Sequence, residues 1–182
     1  MSDPGLIERE RKDIDLYRDT PIRFLGYANE VGEAFRAIVP VSAVKLSYVV
    51  AVGYVLADTL DKSHKVSQAV YPTQEARLNQ VLTTAGDTVL WQGFASVIIP
   101  GITINRLCAS TSFLLRRLTA ISPPLVKGIT TAVGLSAIPF IVKPIDALVE
   151  VSMDRTVRQY YSHEKQVAVD VLEKQKEVDA KA

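Results

Sequence analysis

The apolar residues of this chain gather into three runs set between polar stretches, a pattern that predicts an all-α protein crossing a membrane several times. The central run, Thr88 to Asn105, holds no charged residue, with Asp87 directly before it and Arg106 directly after. About 18 residues of mostly apolar helix is enough to cross a hydrocarbon core. Its polar groups, Thr88, Gln92, Ser96, Thr103 and Asn105, are hydroxyls and amides that can bond within their own helix or to a neighbouring one. Trp91 lies near one end, where an indole suits the headgroup zone. The competing reading of this run is the buried central helix of a soluble domain. A second run, 37–57, is broken only by Lys45 and is apolar on all sides of a helix, which favours lipid over a soluble core. The third, 128–145, contains Pro139 and reaches Lys143 near its end. Lys45 and Lys143 are close enough to the run ends for their stems to carry the amine back to water. Three spans (about 37–57, 88–105 and 128–145) are expected, with four as the alternative.

The flanking stretches predict one helical membrane domain, residues 15–150, between a disordered head, 1–14, and a polar helical tail, 151–182. Thr20-Pro21 reads as a hydroxyl cap followed by proline at the first helical position. Beyond it Phe24, Tyr27, Val31, Phe35 and Ile38 recur at spacings of three and four, the stripe of an amphipathic helix. Gly26, Asn29 and Gly32 form a small-residue strip beside that stripe, and Arg23, Glu30, Glu33 and Arg36 a charged side. Two glycines weaken a helix by about 1 kcal/mol each, so they want a packing reason. These seven residues are the candidate interaction surface, for a separate partner or for the chain's own spans.

Asp61 to Lys65 and Tyr71 to Thr73 read as loops, with a helix starting at Thr73 and running on towards the central span. Asp87 is expected at the water boundary; the alternative is a place inside the membrane, paired with a base. Lys45, Asp87, Arg106 and Lys143 are thus the expected boundary charges. Every charge between Arg106 and Lys127 is basic. Leu107 to Leu115 reads as a short helix and Ser122-Pro123-Pro124 as its break; the segment is either an interfacial helix facing anionic lipid or the second arm of a hairpin. Ile99-Pro100-Gly101-Ile102 and Ile138-Pro139-Phe140-Ile141 predict a kink in each of two spans, a short echo of duplication.

Composition narrows the chemistry. With 21 basic and 20 acidic side chains the net charge is +1, without the basic excess of a nucleic-acid binder. One cysteine, Cys108, excludes an intramolecular disulfide, and neither His64 nor His163 has a partner at metal-ligand spacing. No nucleophile elbow and no phosphate-cradling glycine loop occurs. The expectation is a non-enzymatic protein with no catalytic residue, cofactor or metal. The start has neither a secretory apolar core nor the acid-poor composition of a mitochondrial presequence, so targeting is expected from internal segments. Pro144-Ile145-Asp146 resembles the opening of the mitochondrial carrier motif, but Val149 stands where its base belongs. A small carrier-like solute transporter is therefore the alternative function.

Several stretches also resemble the mitochondrial fission process protein family. They are Asp15 to Thr20 with Arg23 to Arg36, Tyr54 to Asp58, Ala95-Ser96-Val97 with Ile99 to Arg106, and Pro144 to Asp146, in the family's order. The resemblance implies a multi-pass protein of the inner mitochondrial membrane that promotes mitochondrial fission and regulates mitochondrial morphology. It carries over no catalytic residues. The expected partners are membrane lipid and unidentified membrane proteins, with self-association open. The apolar runs should hold the chain in mitochondrial membranes through alkaline extraction, read by immunoblot of pellet and supernatant. Release into the supernatant would restore the soluble reading.

Overall fold

The computed structural model describes Tyr17, residues 20–69 and residues 71–161; the expected head and most of the expected tail lie outside them. All regular structure among the described residues is helical. A 3-10 segment, Pro21–Tyr27, leads into α1, Ala28–Phe35. Three long helices follow: α2, Val41–Ser67; α3, Gln74–Leu118; and α4, Pro123–Asp154. All three are long and apolar enough to cross a membrane. They run antiparallel in sequence, and α1 lies among them, touching each, while α2 and α4 scarcely meet.

The helix ends follow local chemistry. The Thr20 hydroxyl accepts from the Ile22 N–H at 3.3 Å, and the Thr73 hydroxyl from the Ala76 N–H at 3.1 Å, so the expected cap at Thr20 forms and the helix starting after Thr73 is capped the same way. Residues 61–65, expected as a loop, are helical. The pairs Lys62–Asp58 at 3.0 Å and Lys65–Asp61 at 2.7 Å, each four residues apart, supply the support that the apolar pattern lacks there. Leu107 to Leu115 is likewise no separate helix. Nothing between Arg106 and Leu118 breaks the chain's helix, and α3 continues until Thr119 turns extended.

The centre of α3 is widened. Gly93–Ile98 forms a π-helical turn in which the Ile99 N–H bonds the Phe94 carbonyl. Pro100 lies just beyond; it cannot donate, and its ring presses on the carbonyl four residues back, so the wider turn takes up the clash. Asn29 of α1 donates to the Val97 carbonyl at 2.9 Å and supplies a bond at this altered ladder. α4 runs on through Pro139 and Pro144 as one helix.

Outward faces are apolar: Leu46, Val49 and Leu56 of α2, Phe94 and Ile102 of α3, and Phe140 of α4 are exposed. The interior apolar clusters are small. Ala95, Ile145, Val149 and Met153 pack with Trp91 at one level, and Ala34, Ile104 and Cys108 at another. What brings the backbones together is missing side chains. A Cβ on Gly26 would stand 2.9 Å from the Tyr54 ring, and one on Gly32 2.8 Å from the Ser47 Cβ, both against α2. A Cβ on Gly134 of α4 would stand 2.9 Å from the Ala34 Cβ of α1 and 2.7 Å from the Cys108 sulfur. Gly134→Val is therefore expected to cost about 1–3 kcal/mol by overpacking. Gly53→Ala, whose Cβ meets open space, should be neutral or gain up to about 1 kcal/mol. Thermal unfolding of the two detergent-solubilised variants measures the contrast.

Candidate functional site

α1 turns its charged and small-residue side towards the chain's own long helices, one of the two placements that the sequence pattern leaves open. The apolar stripe looks outward, with Val31 of α1 41% exposed and the flanking Phe24 and Ile38 72% and 54%, while Asn29 and Glu30 are wholly buried and Glu33 is 2% exposed. The candidate set of Arg23, Gly26, Asn29, Glu30, Gly32, Glu33 and Arg36 faces the chain's own spans, apart from Arg36, whose side chain is 43% exposed. Amphipathic periodicity identifies two faces; it does not say which one meets lipid when the other has polar partners waiting.

Those partners form a polar column along α1. At one end Arg36 forks onto Glu33 with contacts of 2.6 and 2.5 Å, the Tyr48 hydroxyl donates to the same carboxylate at 2.9 Å, and the Asn105 amide at 2.8 Å. Burial alone would raise the Glu33 pKa, but these hydrogen bonds outweigh it and hold the carboxyl below its ordinary value. One turn earlier, neither carboxylate oxygen of Glu30 has a partner. Burial pushes this carboxyl up to about 8, and the nearby Asp146 charge adds to the rise. Further along, Arg23 meets Asp146 of α4 at 2.5 Å and the Tyr27 hydroxyl at 2.5 Å.

Beyond the start of α1 the column continues between the spans. Gln92 donates to Asp58 at 2.6 Å and accepts from the Ser96 hydroxyl at 2.6 Å, and Lys62 donates to Asp58 from the exposed side. At the far end Arg158, past the end of α4, grips Asp87 with two contacts of 2.8 and 2.9 Å and also donates to Glu150 and Asp154. The Tyr161 hydroxyl donates to Asp87 as well. The bonds to Asp87 raise the Arg158 pKa; burial, then Asp87, pushes the Tyr161 hydroxyl up to about 12. A polar cleft of about 430 Å³ opens here, lined by Arg23, Lys62, Asp87, Trp91, Gln92 and Arg158 among others.

Asp87 thus has the basic partner that the sequence pattern allows as the alternative to a free boundary position. Lys45, Arg106 and Lys143 are exposed on α2, α3 and α4, outside the column. Sequence reasoning missed Asp58, Glu150 and Arg158 as partners, and noticed Asp146 only through the carrier-like motif. Among the described residues no three metal-binding side chains cluster. The column fixes helices against one another and can hold a proton at Glu30.

A family model described as Mitochondrial 18 KDa protein (MTP18) matches residues 16–153, the stretch that supplies the column from Arg23 to Glu150. The chain belongs to this family. Three curated relatives agree along most of their length. The mitochondrial fission process protein 1 of Danio rerio is 52% identical over 151 residues, covering 83% of this chain and 91% of the relative. That of Caenorhabditis elegans is 51% identical over 148 residues, covering 81% and 89%. That of Homo sapiens is 48% identical over 161 residues, covering 88% and 95%. No solved structure matches. Within this family fold, Glu30 is the group whose titration α1 docking feels most directly. Its ordinary pKa is 4.5, and docking raises it to about 8. The stabilisation it allows is full below about 4.5, falls as pH rises through that interval, and is lost above about 8. Glu30→Gln should flatten the fall in unfolding temperature between acid and alkaline buffers; an unchanged slope would place the titration elsewhere.

Proposed function

We propose that this chain promotes mitochondrial fission as a non-enzymatic, multi-pass protein of the inner mitochondrial membrane. The observation that carries the reading is the near full-length match to relatives named mitochondrial fission process protein 1. The internal arrangement supports a structural role, since Glu33, Asp58, Asp87 and Asp146 are each engaged by a basic or amide side chain. The three spans leave apolar outer faces for lipid and for other membrane proteins. An inner-membrane place accords with internal apolar segments serving as the import signal, and the basic α3–α4 connection accords with a matrix side for that end.

Overproduction in cultured cells is expected to fragment the mitochondrial network and depletion to elongate it, scored by microscopy. Gly134→Val, which unseats α1, should reduce fragmentation at matched protein level. Protease added after rupture of the outer membrane alone should cleave a tag on Ala182 and spare one inserted between Thr119 and Ser122. An unchanged network in both directions would overturn the fission role, and full degradation in mitochondria with an intact outer membrane would overturn the location. Specific solute flux into liposomes holding the purified chain would turn the reading to the carrier-like transporter.

A further inference from the structure

From Thr88 to Ile145 the sequence holds five basic side chains, Arg106, Arg116, Arg117, Lys127 and Lys143, and no acidic one. Three of them, Arg116, Arg117 and Lys127, lie at the end of α3 and the start of α4, with Arg106 about three turns earlier on α3, and none of these four has an acidic partner among the described residues. The opposite end of the bundle is a mixture, where Asp58, Asp61, Asp87, Asp146, Glu150 and Asp154 are paired with nearby cations. Among the described residues the cations of the α3–α4 connection are thus uncompensated.

Their placement is specific. On α3 the exposed residues Arg106, Ser110, Phe113 and Arg117 follow one another at spacings of four, three and four, with exposed Ala109 beside them, so they form one outward stripe. At 1.5 Å per residue the stripe is about 16 Å long, with small side chains at its middle and an aromatic ring below the upper arginine. Gly134 lies against Cys108, and Ile145 packs with Ala95. This antiparallel register brings Lys127 level with the last turns of α3, beside Arg116 and Arg117 in height. Large apolar side chains are exposed around the same level: Phe113 66%, Leu114 51%, Leu118 74% and Leu125 53%. Exposed rings and leucines beside unpaired arginines and a lysine suit the boundary between acyl chains and headgroups.

We infer that this α3–α4 connection is a binding belt for phospholipids whose phosphodiester headgroup carries net negative charge. The arginines meet the phosphate oxygens by paired N–H donors, Lys127 adds a point charge, and Phe113, Leu114, Leu118 and Leu125 enter the upper acyl layer. Arg106 and Lys45, lower on their helices, reach the same layer along their stems. The belt goes beyond the fission reading and needs only that the chain span a bilayer.

The test uses the full chain reconstituted into phosphatidylcholine vesicles with a trace of spin-labelled phosphatidylglycerol or spin-labelled phosphatidylcholine. Electron spin resonance reads the fraction of each label immobilised at the protein. The charged label should be preferred roughly threefold or more at low ionic strength, with the ratio falling towards one in high salt. The triple variant Arg116→Gln, Arg117→Gln, Lys127→Gln should lose the preference, while Arg116→Lys with Arg117→Lys and, at the opposite end, Lys65→Gln should keep it. Circular dichroism confirms that each variant is helical; if the triple variant does not fold, the salt titration of the unaltered chain decides. A ratio near one in the unaltered chain, or a preference indifferent to salt or to the triple substitution, overturns the lipid assignment. Failure to reconstitute at all would instead sink the membrane reading.

Discussion

The seating of α1 among the three long helices is the contact on which the rest of the architecture depends. An isolated helix of this length is unstable in water, and in lipid there is no hydrophobic gain from burying one apolar face against another. Close backbone approach and hydrogen bonding must hold it. Gly26, just ahead of α1, and Gly32 let this segment reach α2, Gly134 lets α4 reach α1, and Gly101 of α3 leaves room for the Asn29 amide and the Tyr48 hydroxyl. Because α2 and α4 scarcely meet, removing α1 would leave a seam between them rather than a smaller bundle.

Two carboxyls one turn apart on α1 show how the same burial is resolved in two ways. Glu33 receives donors from Arg36, Tyr48 and Asn105, one from each of three elements, and stays ionised as a crosslink. Glu30 has no donor from another side chain, and its burial favours the protonated form. Removing a donor from the first and adding one beside the second are opposite perturbations. The first leaves a buried charge short of partners, and the second would let a neutral group ionise in place.

The long helices were legible because their runs of apolar residues exceed what any soluble surface helix needs, and the caps at Thr20 and Thr73 because each puts a hydroxyl before a helix start. The extent of the helices was not. Residues 61–65 are polar enough to read as loop, yet their charges are spaced to pair along a helix. The π turn at Gly93–Ile98 leaves no mark in hydrophobic periodicity beyond the nearby Pro100. The glycines at 26 and 32 lie at close contacts with α2, but a sequence pattern on one segment cannot name the helix opposite. Arg23 with Asp146 and Asp87 with Arg158 join residues far apart in sequence, and nothing local to either partner announces the other. The resemblance motifs held part of this information: Tyr54 to Asp58, Ile99 to Arg106 and Pro144 to Asp146 each contribute a side chain that faces α1 or its extension.

The seat of α1 has walls drawn from the whole domain, and this sets an order of events during biogenesis. The helix is made first, but Asn105 and Gly134, and Asp146 last of all, must be in place before it can be held from every side. Until then the chain carries a loose segment with two acidic side chains, two glycines and an apolar stripe. Completion of α4 therefore closes the molecule in one late step, and a chain arrested or damaged short of Asp146 leaves its own beginning without its last wall.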